Sequence, residues 1–437
     1  MRRTSAIAAS YALTILAGTL AVSPHAGAAE PKRIDRTGVL AGLPSEAGPH
    51  IARIQALGDN EWLNLGSPAP DPRWGKGRGR SWSSKMPYAP ELGGAFLNGQ
   101  GVHGYIKPDG YFMDDIWFYD LLAHRWICIY PGTDTRNFVS NIERGDLKVN
   151  DDGQLVDRDG RPVPFSAIPG HSYQDHAYDL DHGRYVFGGG AGIGSEQHVR
   201  DQEWLKKGGE LLRSQGKTDR VAGSSYFFNT VTGQFERPPA SGENLSGGGT
   251  STVLFHLPTK KSLWRYSRGQ TLFGDAATNR WTDAKAAGPT PTGIDFGACY
   301  DSKRERVYVL GGGYRGPYAP GEGKIYVYDV KANTWSNLPD KGTVPDNFAS
   351  NYACVHYDAA GDRVVNVVFS ARRTGVSAFD PETGAWGDAP APLPANISQG
   401  CWSGFYFPEL NAHFFHIAGD SRDDGTMWVY RYQKAAP

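Results

Sequence analysis

The chain has 437 residues, of which 39% are hydrophobic, 12% aromatic and 21% charged, with 56 glycines. Its 45 basic and 46 acidic side chains leave a formal charge of −1. That balance argues against a general polyanion binder and so against nucleic acid as a partner. Plentiful glycine with a large aromatic share suits many short strands joined by tight turns.

Met1-Arg2-Arg3 is followed by an apolar stretch from Ala6 to about Val22 and then Ala26-Gly27-Ala28. A positive start, a short apolar run and a small-x-small site predict a cleavable export signal over residues 1–28. The run is diluted by Ser, Thr and Gly, and no later stretch is apolar enough to span a bilayer, so no membrane association is expected. The expected location is periplasmic or extracellular. Residues 29–60 read as an N-terminal extension, and residues 61–437 as one repeating body.

Along that body an aromatic or small residue, then Asp or Asn, then five residues, then Trp or Phe recurs. The copies are Tyr119-Asp120…Trp126, Phe228-Asn229…Phe235, Gly274-Asp275…Trp281, Tyr328-Asp329…Trp335 and Phe379-Asp380…Trp386. The intervening residues are turn formers, so each copy predicts a hairpin. Upstream lies another hairpin, as in Ala177-Tyr178-Asp179 to Tyr185-Val186-Phe187 and Cys299-Tyr300-Asp301 to Val307-Tyr308-Val309-Leu310. Its second strand often runs into glycines, such as Gly188-Gly189-Gly190 and Gly311-Gly312-Gly313. Two hairpins per repeat make a four-stranded antiparallel blade.

A hydrophobic strand ending in Gly-Gly, then an aromatic and a Trp at fixed spacing, resembles the kelch repeat, over about residues 84 to 433. The resemblance implies an all-β, six-bladed β-propeller, with blades beginning near Ser84, His171, Gly249, Asp295, Asn351 and Cys401. A seventh blade within residues 132–170 is the alternative, although that stretch lacks the Asp…Trp pattern. The last blade ends after a third strand, Met427 to Tyr432. The N-terminal strand Glu61-Trp62-Leu63-Asn64-Leu65 is expected to complete it and close the ring.

In an up-and-down blade the turns after strands one and three lie at one end. The loops after strand two and between blades lie at the other. The second set is longer and carries both insertions. Residues 132–170 include a hairpin around Asn150-Asp151-Asp152-Gly153, and residues 191–222 include a helix over Glu196 to Ser214. Long loops on a rigid scaffold commonly carry function, so the site is expected at that end. It collects Arg268, Arg315, Arg372, Arg373 and Arg422 as substrate-binding candidates, with His103, His171 and Tyr173 as catalytic candidates. Guanidinium forks suit carboxylates, and His or Tyr can carry protons. The plain alternative for each arginine is solvent, or pairing with Asp420, Asp423 or Asp424. His176 reads as a buried strand residue.

These residues fit an exported protein acting on or binding an acidic carbohydrate. They are compatible with a uronate polysaccharide lyase, and the resemblance also covers sialic acid mutarotases. A second class is a non-catalytic module binding an acidic protein partner. A third, from the likeness of the kelch fold to galactose oxidase, is a copper radical oxidase, but no matching set of Tyr and His is found. Cys128, Cys299, Cys354 and Cys401 have neither disulfide nor zinc spacing and read as buried thiols. No cofactor is expected, a bound metal ion stays open, and the expected state is a monomer.

Overall fold

The computed structural model describes residues 35–81, 83–98, 105–151, 154–165, 174–188, 202–214, 225–236, 238, 241–242, 252–293, 296–310, 325–339, 341, 353–370, 373–387, 392–397 and 400–433. The expected export signal lies outside the described residues. Six antiparallel sheets follow one another along the chain. Blade one comprises Tyr88–Ala89, Gly94–Leu97, Ile116–Asp120 and Arg125–Tyr130. Blade two comprises His176–Asp179, Arg184–Gly188, Ser225–Asn229 and Gln234–Glu236. Blade three is Thr252–Leu257, Ser262–Ser267, Gln270–Asp275 and Arg280–Asp283, with Ser241–Gly242 added in parallel at its outer edge. Blade four is Gly297–Asp301, Arg306–Leu310, Ile325–Asp329 and Thr334–Leu338.

Blade five has three strands, Cys354–Asp358, Arg363–Ser370 and Arg373–Phe379. Its Trp386 makes only an isolated bridge to Phe379 in place of a fourth strand. Blade six comprises Cys401–Phe407, Ala412–Ala418 and Thr426–Arg431, and its fourth strand is Glu61–Gly66 from the other end of the chain. The ring is therefore closed as expected, with Trp62 opposite Tyr430 and the two rings 4.6 Å apart. First strands of neighbouring blades adjoin one another, which puts them around the axis.

The repeat residues have a local cause. The side-chain oxygens of Asp120, Asn229, Asp275, Asp329 and Asp380 each accept amides two or three residues on, turning the chain between strands three and four. Four residues after each acid or amide comes a left-handed residue: His124, Gly233, Asn279, Asn333 and Gly384, with φ between 50° and 70°. Two residues later stands the aromatic side chain. Trp126, Trp281 and Trp335 are buried between blades. Gly274 replaces the usual aromatic because its α-carbon faces the Trp281 ring, and a β-carbon there would start 2.6 Å from that ring.

The described residues of 132–170 form no seventh blade. They contain a helix, Phe138–Glu143, and a hairpin of Leu147–Val149 with Leu155–Asp157. The second insertion contributes the helix Glu203–Ser214, within the expected span; residues 196–201 of that span lie outside the described ones. The two insertions pack on each other through Phe138, Ile142, Leu205 and Leu212, with Phe112 of the first blade's loop beneath them. They form a small satellite core beside the ring. The arm before the first strand carries one short helix, His50–Gln55, and lies along turns of blades two, one and six.

Candidate functional site

The segment leading into blade one crosses the axis. The Ser83 carbonyl accepts the Ser403 hydroxyl, and the Ser84 carbonyl accepts the Gly404 amide at 3.1 Å and the Cys354 thiol at 3.0 Å. Gln174 Nε2 donates to Ser84 Oγ at 2.6 Å, and Lys85 Nζ donates to the Leu254 carbonyl at 2.5 Å. These two residues thus touch blades two, three, five and six, a position only a segment on the axis can occupy. It plugs the channel.

Below the plug is a cavity of about 390 Å³, lined by first strands of all six blades. It lies at the end of the short turns, because the lining residues come from the later halves of the first strands and the turns that follow. The second-last residue of every first strand is aromatic or imidazole: Tyr88, Tyr178, His256, Tyr300, Tyr357 and Tyr406. Several phenols are tied to turn side chains, Tyr88 to Glu409 at 2.9 Å, Tyr357 to Asp362 at 2.9 Å and Tyr178 to Glu91. Burial and these partners hold the Tyr88 and Tyr178 phenols above their ordinary range, so they stay protonated.

Lys85 stands at the cavity floor with its ammonium 3.7 Å from the centroid of the Phe255 ring. It makes no ion pair among the described residues, and Asp175 acts on it only from a distance. Burial is the largest influence and lowers its pKa to about 7, with Asp175 opposing the shift. Lys85 thus brings to the cavity lining an amine that gains or loses its charge near neutral pH.

Above the plug lies a buried polar layer. Arg265 grips Asp175 with two hydrogen bonds of 3.1 and 2.8 Å. Arg80 pairs with Asp115 at 3.0 Å, and Trp117 Nε1 donates to the same carboxylate at 2.6 Å. His176 is buried and bonds Tyr185 at 3.0 Å, matching its reading as a strand residue. All four cysteines are free and buried.

At the rim between blades two and three, Asp179, Asp181 and His256 offer three ligand atoms within 4.8 Å of one another. His256 already bonds Asp181 at 2.8 Å, and His182 bonds Asp179 at 2.9 Å. This is a closed hydrogen-bonded set joining two blades.

Of the residues expected from sequence to form the site, His103, His171, Tyr173, Arg315 and Arg372 lie outside the described residues. Arg373 begins the third strand of blade five, and its side chain is also outside the description. Arg268 is exposed on the turn between the second and third strands of blade three, with φ of 48°. Arg422 is exposed on the matching loop of blade six, its amide bonded to Asp420 and its guanidinium 5.2 Å from the Tyr105 ring centroid. Alternation of turns puts both at the end opposite the cavity.

Loop length points to that end. The cavity comes instead from six strand ends and a plug. Lys85 carried no local signal. Tyr178-Asp179 and Tyr300-Asp301 stand in the sequence as parts of the upstream hairpins, with nothing there to mark a shared wall.

A family model described as the Kelch motif matches residues 298–342, which spans blade four. No curated protein matches the chain. Among solved structures, TolB from Acinetobacter baumannii is similar at 13% identity and a TM-score of 0.37, covering 78% of this chain and 64% of its own. This chain thus spans less than two thirds of that one. Luciferin-regenerating enzyme is similar at 10% identity and a TM-score of 0.40, covering 81% of this chain and 92% of its own. At these scores neither likeness carries a functional argument.

Proposed function

In this six-bladed kelch-repeat propeller, we propose that the axial cavity binds a small acidic carbohydrate, its carboxylate toward Lys85 and its ring against the tyrosine wall. The observation that carries the reading is Lys85, a cation held in an aromatic cavity with no carboxylate in contact among the described residues. Keeping a buried amine there costs stability unless something anionic meets it. The volume falls within the usual range of small-molecule sites, and flat aromatic surfaces suit the C–H faces of a sugar ring. The signal-like N-terminus supports an exported protein meeting such ligands outside the cytoplasm.

Titration calorimetry with D-glucuronate, D-galacturonate and N-acetylneuraminate, against neutral D-glucose, tests the proposal. Acidic sugars are expected to bind and glucose not, and Lys85→Met should weaken binding by about tenfold or more. The sign of the pH effect follows from Lys85. Its charged form is the binding form, so affinity should fall as pH rises above about 7, with proton uptake on binding in that range. Equal affinity for glucose, or affinity indifferent to both pH and Lys85→Met, would sink the reading.

A further inference from the structure

The rings of the cavity wall differ in what stands behind them, and the difference sets up a second charged pole opposite Lys85. A phenol has one hydrogen to give. Tyr88 gives it to Glu409 at 2.9 Å, Tyr357 to Asp362 at 2.9 Å, Tyr406 to Asn411 at 3.0 Å and Tyr178 to Glu91. Burial holds all four phenols above their ordinary range, and the nearby carboxylates add to it, so none is a ready phenolate. What these four offer a ligand is therefore acceptor oxygens and ring faces, a surface suited to N–H groups and cations.

The acids behind the wall are not alike. Asp362 is gripped by Arg304 at 2.6 and 2.8 Å and by Lys303 at 2.6 Å. Glu91 has Arg36 at 3.8 Å. Glu409, on the turn Pro408–Leu410, is exposed and forms no ion pair among the described residues. It meets the cavity through Tyr88 and Pro408, both in the lining, and Tyr88 feels Glu91 as well. The wall at Tyr88 and Glu409 thus carries a negative charge that no described cation offsets.

Its position relative to Lys85 follows from the ring. The Lys85 ammonium lies against blade three, where it donates to the Leu254 carbonyl and stands 3.7 Å from the Phe255 ring centroid. Glu409 follows the first strand of blade six. In a closed ring of six, blades three and six are opposite one another. The groups acting on Lys85 are Asp175 and Cys299, and those acting on Tyr88 are Glu409 and Glu91, so neither pole cancels the other.

We propose that the cavity takes a sugar bearing both a carboxylate and a protonated amine, the carboxylate toward Lys85 and the ammonium against Tyr88 and Glu409. The proposal rests on the acidic-carbohydrate reading and narrows its class to amino sugar acids. A plain uronate meets one pole and leaves the other facing its hydroxyl groups. A zwitterion meets both. Glu409 is exposed, so its own share of the gain is small, and the Tyr88 ring face supplies the rest.

Four sugars test the proposal as a square: D-glucose, D-glucosamine, D-glucuronate and 2-amino-2-deoxy-D-glucuronate. Each is titrated calorimetrically into the full chain below neutral pH, where Lys85 is charged. The amine should tighten binding about tenfold over glucuronate, and should make glucosamine a detectable ligand where glucose is none. Glu409→Gln removes the charge but keeps an acceptor for the Tyr88 hydroxyl, so the wall stays in place. The preference for the amine should then fall by about threefold or more. Lys85→Met should weaken both acidic sugars alike and keep that preference, because the poles act separately.

Glucuronate binding as tightly as its amino form overturns the proposal and leaves the binding reading standing. An amine preference untouched by Glu409→Gln does the same. Acidic sugars that fail to bind while glucosamine is held through Glu409 overturn the acidic reading and uphold the amine pole. Silence from all four sugars overturns both.

Discussion

Asn333 sits left-handed four residues after Asp329, accepts the Tyr328 hydroxyl at 2.7 Å and donates to the Ala284 carbonyl at 2.7 Å. Two costs can therefore be separated at one position. Asn333→Gly keeps the backbone conformation and loses the hydrogen bonds. Asn333→Ala loses both and should be less stable than the glycine variant by about 1 kcal/mol. Urea unfolding of the pair measures the difference, and equal midpoints would show that the turn does not depend on its left-handed residue. Lys85 works in the opposite sense. Its pKa is lowered in the folded chain, so its contribution to stability is lost as pH falls from its unfolded value near 10.4 to about 7. Lys85→Met should therefore raise the melting temperature at neutral pH while weakening acid-sugar binding, a trade of stability for function. A lower melting temperature would mean the amine is structural.

The strand Glu61–Gly66 is the element on which ring closure depends, since it covers the open edge of blade six. Trp62 packs against Phe369, Phe415 and Tyr430, which joins the closing strand to blade five as well as blade six. Trp62→Ala should cost about 2 kcal/mol, less than a fully buried tryptophan because Trp62 is only half-buried. Thermal unfolding with a parallel assay of aggregation measures it, and an unchanged midpoint would remove the closing strand from the stability argument. The satellite core is a separate unit of the same scale. Phe138→Ala should speed amide exchange across Glu203–Ser214 and leave the blades protected. Blades losing protection together with that helix would show a single cooperative unit instead.

Over the whole molecule, acid is the expected weakness. His176, His356 and His416 are buried and held neutral, His416 with a pKa of about 3, and burial is the leading cause for each. A histidine with a depressed folded pKa contributes stability above its unfolded value near 6.5 and loses it as pH falls toward the folded value. Asp115 and Asp358, held below the ordinary carboxylate range despite burial, add to the loss in the same direction. Melting temperature should thus decline from about pH 6.5 downward. A chain equally stable at about pH 4 would mean that these groups find protons without unfolding.

Periodicity was enough to derive the blade, the count of six and the closing strand, because every copy carries its own local chemistry: an acid that bonds its turn amides, a left-handed residue four places on, and an aromatic side chain to fill the gap between sheets. These interactions lie within a few residues of one another, so linear spacing records them. The cavity has no such record. Lys85, Phe255, His356 and Tyr406 are far apart along the chain and meet only because first strands converge on one axis and the segment before blade one runs down it. Which end of that axis holds the pocket follows from the path of the plug and not from the length of the loops, and so only the folded ring decides it.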